Sequence, residues 1–126
     1  MVQQFKRVLI LCLVLGYGLT INSCSSDDSN EICVSFDERQ CNTDEWNANV
    51  GDGGELSTRI MNYLNSLDIE VSQIQIDEDF HEFVCEACDV CPTGPRIFIS
   101  IDSSDYERIS GLRLLSLETV TCNSVF

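Results

Sequence analysis

The 126 residues carry 21 acidic side chains against seven basic ones, a net charge of −14. Two of the seven, Lys6 and Arg7, open an apolar leader, so a chain processed after residue 23 keeps five Arg, all 21 acids and a charge of −16. That balance argues against nucleic acid and against electrostatic attachment to anionic lipid, and the roughly 100 residues left suffice for one small domain.

Behind Lys6 and Arg7 comes an apolar run over residues 8–21, and polar, acidic sequence follows at once. This is the charge, grease and small-residue order of a secretory signal. The run is shorter than the roughly 20 residues that cross a bilayer, which disfavours an uncleaved anchor. The leader ends in Ile21, Asn22, Ser23 and Cys24, followed by Ser25, Ser26, Asp27, Asp28 and Ser29. A cysteine directly after a small residue resembles the lipobox of bacterial lipoproteins, with Ile21 in place of the usual Leu and Asn22 departing from the residues commonest there. The resemblance implies cleavage before Cys24 and lipid on its thiol, with each buried methylene contributing about 0.8 kcal/mol to membrane attachment. The alternative is an ordinary signal peptide cut nearby, leaving Cys24 for a disulfide. Ser25 after the cysteine implies passage to the outer membrane of a diderm bacterium. Ser26, Asp27 and Asp28 resemble the surface-export run of Bacteroidota lipoproteins, and a plain solvated tether is the other reading. The expected organisation is a signal peptide over 1–23, the lipidated cysteine and tether over 24–31, and a single α+β domain over 32–126.

Within that domain Ile32, Val34 and Phe36 alternate with Cys33 and Ser35, the period of a first strand. Residues 37–54 are polar and turn-rich, with Trp46 as the one large anchor. Leu56, Ile60, Tyr63, Leu64 and Leu67 then fall on one helical face, and Asp52 with Glu55 spells a capping box. Ile69, Val71, Ile74 and Ile76 predict a strand whose alternation slips at Gln73, so a bulge is expected there. Residues 80–85 read as extended and 85–95 as a cysteine-rich loop. Ile97, Ile99 and Ile101 mark a strand over residues 96–101. Ser104 and Glu107 spell a second capping box, for a short helix that Gly111 stops. Residues 112–122 have the content of a last strand. Strand, helix, strand, strand, helix, strand is the order of the ferredoxin-like split βαβ pattern, with an antiparallel sheet and two helices.

Cys12 leaves with the leader and lipid takes Cys24, so Cys33, Cys41, Cys85, Cys88, Cys91 and Cys122 remain. An even count in a small exported chain reads as three disulfides. In the ferredoxin-like arrangement the start of the first strand lies near the end of the last, which favours Cys33–Cys122. Cys41 then pairs within Cys85, Cys88 and Cys91, and the two left over pair with each other.

Cys85, Cys88 and Cys91 form the one local motif with chemical character. Structural bridges are the plainest reading. Zinc would need a fourth ligand, His81 or Cys41. A redox pair needs C-x-x-C at a helix N-terminus, whereas this motif runs into Pro92, Thr93, Gly94 and Pro95. An iron–sulfur cluster lacks its fourth cysteine. His81 is the sole histidine and reads as a surface side chain beside Asp79 and Glu82. Residues 44–55 have the length of an EF-hand loop, but Trp46 and Ala48 stand where ligands belong, which leaves at most an irregular calcium site from Asp44, Asp52 and Glu55. No catalytic set stands out. The expectation is a non-enzymatic lipoprotein of the cell envelope, without cofactor, bound to the membrane through Cys24 and serving envelope structure or a protein partner. A zinc module on Cys85, Cys88, Cys91 and His81 is the alternative, and a thiol-redox protein ranks below it.

Overall fold

A computed structural model describes residues 30–48, 54–83 and 85–126. The leader, Cys24 and most of the expected tether lie outside the described residues. The elements in order are β1 (Glu31–Arg39), α1 (Glu45–Ala48), α2 (Leu56–Ser66), β2 (Val71–Asp77), β3 (Pro92–Asp102), α3 (Tyr106–Ser110) and β4 (Leu115–Val120). Short 3-10 turns cover Gln40–Asn42, Ser103–Asp105 and Cys122–Ser124. The four strands make one antiparallel sheet in the order β2-β3-β1-β4. The protein is a mixed helix-and-strand domain held by disulfides, with three α-helices where two were expected.

The core follows from period-two alternation on the central strands. Ile32, Val34 and Phe36 of β1 stand opposite Ile101, Ile99 and Ile97 of β3. Ile60 and Leu64 from α2, Trp46 from α1 and Ile109 from α3 close over that face, and all four are buried. Each such aliphatic or aromatic side chain contributes about 1.5–3 kcal/mol by leaving water. Trp46 is central to the seam, its ring centroid 5.8 Å from Phe36 and 6.1 Å from Tyr63. The opposite face of β1 is buried too: Cys33, Ser35 and Asp37 are all at or below 1 % exposure. One-sided alternation does not announce this. It arises because Cys122 is bonded to Cys33 and because Arg96 and His81 close over Asp37 on that face.

Helix α2 stops at Ser66, one residue short of the apolar stripe read from the sequence, and Leu67 is exposed. The reason is a Schellman ending: Asp68 takes φ 57°, its N–H reaches Asn65 O at 3.1 Å, and Ile69 N reaches Leu64 O at 3.0 Å. Ile69 and Leu64, both buried, supply the apolar contact such an ending carries. Neither expected capping box is present among the described residues. Glu55 is the α2 N-cap without a side-chain bond, and Asp52 lies outside the described residues. At the second, Asp102 rather than Ser104 is the cap, accepting from Ser104 N at 2.8 Å and starting a 3-10 turn ahead of α3. Hydrogen bonding from Ser104, its side chain first and then this backbone N–H, favours the ionised form and lowers the Asp102 pKa.

The slip expected in β2 is a register shift between Val71 and Gln73. Residues 80–83 are bends rather than a strand, because His81 turns inward and its N–H bonds Gly94 O at 3.0 Å. Strand β3 starts at Pro92, earlier than expected, where Pro92 meets Arg39 across a second register shift. Strand β4 is shorter than expected and carries an irregularity opposite residues 35–37, where Ser116 has φ 54°.

Candidate functional site

Three disulfides consume all six cysteines of the domain: Cys33–Cys122, Cys41–Cys88 and Cys85–Cys91. The first joins the start of β1 to the turn after β4. The other two gather at the opposite end of β1, where they fix residues 85–91 against the Gln40–Asn42 turn. Cys41 and Asn42 both have positive φ there, 66° and 54°. Backbone bonds reinforce the staple: Gln40 N donates to Cys91 O at 2.9 Å and Cys91 N to Ala87 O at 3.0 Å. Side chains add Thr43 Oγ1 to Cys88 O at 3.3 Å and Arg39 Nε to Asp89 O at 3.1 Å.

A cleft of about 340 Å³ opens beside this staple, between α1, α2, the cysteine loop and residues 112–114. Its base is a nearly buried ion pair. Asp44 accepts from Arg39 Nη1 at 2.7 Å through one oxygen and from the Arg39 backbone N–H at 2.7 Å through the other. That leaves neither oxygen of Asp44 idle, and removing one partner of such a pair would strand the other's charge. Trp46, Tyr63, Leu112 and Leu114 form the apolar wall. Tyr63 donates to Glu45 Oε2 at 2.7 Å. Desolvation first, then this bond and the neighbouring charge of Glu45, push the phenol up to about 12. Arg113 and Asp89 stand on the rim, and their charged groups have no partner among the described residues. The indole N–H of Trp46 is buried and finds no acceptor either, a deficit that costs about 1–3 kcal/mol for a donor shut away from water.

A second polar cluster lies on the face of the sheet opposite the helices. Asp37, 1 % exposed, receives Arg96 Nε at 2.9 Å and Nη2 at 3.4 Å. His81 Nε2 is 3.0 Å from the same carboxylate, though not aligned for a hydrogen bond. Arg96 also reaches Glu118 at 3.5 Å and lies 4.6 Å from the Phe80 ring centroid. His81 is therefore no free surface residue beside Asp79 and Glu82. It packs edge-on against Phe80 at 4.9 Å and pins the β2–β3 connection to β1. The sequence offered no signal for this, since Asp37 and His81 belong to segments that meet only through the sheet register.

Among the expected ligand residues, Cys85, Cys88 and Cys91 are bonded as disulfides, so no thiolate remains there to join His81 around zinc. Asp44 of the irregular calcium set is engaged by Arg39, and Asp52 lies outside the described residues. Among the described residues no three His, Cys, Asp or Glu side chains converge as metal ligands, and no helix is long and apolar enough to cross a membrane. Phe83 and Val90 of the connection, 90 % and 70 % exposed, are its most exposed apolar side chains among the described residues. No protein-family model, no curated protein and no solved structure matches this chain.

Proposed function

We propose that the chain is an exported lipoprotein, anchored to the outer membrane through Cys24, whose disulfide-stapled domain binds a ligand or partner without catalysing a reaction. The observation that carries this reading is the complete pairing of the six domain cysteines, which belongs to an oxidising compartment. The leader with its lipobox-like ending supplies the route there. A binding role is favoured by the cleft at the stapled end, where two covalent links hold the walls in place before any ligand arrives. The order β4-β1-β3-β2, with helices in the β1–β2 and β3–β4 connections, supports a ferredoxin-like reading of the fold.

Mass spectrometry of the protein recovered from membranes tests the proposal. The expected result is a chain beginning at acylated Cys24 with three disulfides in a non-reducing peptide map. An unprocessed leader, or four or more free thiols, would overturn it. Stoichiometric zinc in non-reduced protein would instead favour the metal-module reading.

A further inference from the structure

We infer that the cleft beside the cysteine loop is a binding site for a small zwitterion, an amino acid or short peptide with an aliphatic side chain. The inference rests on the binding-domain reading above and names its ligand. Two unspent charges on the cleft define the chemistry. The Arg113 guanidinium and the Asp89 carboxylate have no partner among the described residues, so one rim position is cationic and another anionic. By contrast, Arg39 and Asp44 neutralise each other, and the Tyr63 hydroxyl is committed to Glu45.

A ligand complementary to this pair carries a carboxylate for Arg113 and an ammonium for Asp89. The guanidinium fork matches a carboxylate in two-point fashion, while an ammonium is a compact donor suited to a single acid. Leu112, Leu114, Trp46 and Tyr63 offer an apolar wall to the side chain. A volume of about 340 Å³ lies at the small end of the roughly 300–1,000 Å³ of ligand sites, which fits one or two residues rather than a long peptide. The net negative charge of the chain as a whole disfavours any ligand with a net negative charge.

Trp46 is the single tryptophan of the chain, so its fluorescence reports on this cleft alone. Full-length processed protein is titrated with L-leucine and with leucyl-leucine, up to about ten millimolar, and the emission of Trp46 is followed. Saturable change is expected with both. N-acetyl-leucine, lacking the ammonium, and leucinamide, lacking the carboxylate, are each expected to bind at least tenfold more weakly. Arg113→Gln and Asp89→Asn, both at exposed positions, are expected to lose binding without loss of fold, checked by circular dichroism. No saturable change with either probe overturns the inference, as does binding unaltered by Arg113→Gln. N-acetyl-leucine binding as tightly as leucine overturns the zwitterion and leaves an anion site. Because acylation and disulfides are read by mass spectrometry on the same preparation, failure here is distinct from failure of the lipoprotein reading.

Discussion

Replacing Asp37 with Asn removes one charge from the best-connected buried polar group while keeping its shape. The carboxylate is 2 % exposed and the Arg96 side chain 12 %, with two contacts between them at 2.9 and 3.4 Å. Breaking a buried pair by removing one partner costs about 3–5 kcal/mol when the survivor is stranded. Arg96 is not wholly stranded, because Glu118 lies 3.5 Å away and the Phe80 ring lies beneath it at 4.6 Å. A cation over an aromatic ring retains about 0.5–1 kcal/mol near the surface, so the expected loss is about 2–3 kcal/mol. For a domain of this size that is a large share of a total near 5–15 kcal/mol. Urea unfolding with disulfides intact measures it as a lower midpoint at unchanged slope. Arg96→Gln and the double variant complete a cycle whose coupling is expected to exceed about 1 kcal/mol. A loss under about 0.5 kcal/mol, or additive single effects, would refute the assignment of Asp37 as the electrostatic centre of the face opposite the helices.

Three further outcomes are expected. Bridge removal ranks by the chain each bridge encloses: with separations of 89, 47 and 6 residues, loop entropy gives about 4.6, 4.1 and 2.2 kcal/mol for Cys33–Cys122, Cys41–Cys88 and Cys85–Cys91, to be read by denaturation of paired Cys→Ser variants. Tyr63 keeps its proton to about pH 12 in the folded chain against the ordinary 10.0 unfolded, so its contribution to stability is present below pH 10 and lost as pH rises through the folded value. Ultraviolet titration checks it, and Glu45→Gln is expected to lower that pKa while leaving it raised, because desolvation is the larger cause. Asp68→Gly and Ser116→Gly each relieve a positive φ and are expected to stabilise by about 0.5–1 kcal/mol, seen as a higher melting temperature.

Alternation made β1 and β3 legible, since Val34, Phe36, Ile97 and Ile99 announce one face of a strand by composition alone. Helix α2 was legible for the same reason through Ile60 and Leu64, but its end was not. Asp68 adopts the left-handed turn that a glycine would have signalled. The Cys85, Cys88 and Cys91 cluster marked a stapled region correctly, whereas the cleft beside it was invisible. Its walls come from residues 39, 43–46, 63, 89 and 112–114, brought together only by the sheet order and the Cys41–Cys88 link. His81 misled because Asp79 and Glu82 near it are acidic and exposed, while the partner that fixes it is 44 positions earlier in the chain.

The bridges interleave, and this bears on how the chain matures. A polypeptide oxidised in the order its thiols emerge would join Cys33 to Cys41 and Cys85 to Cys88, and neither pairing is native. The proper partner of Cys33 lies 89 positions further along the chain. Correct maturation therefore calls for shuffling of early, wrong bridges by thiolate attack through mixed disulfides. A cell lacking a disulfide isomerase should accumulate scrambled forms of this protein before it loses simpler ones.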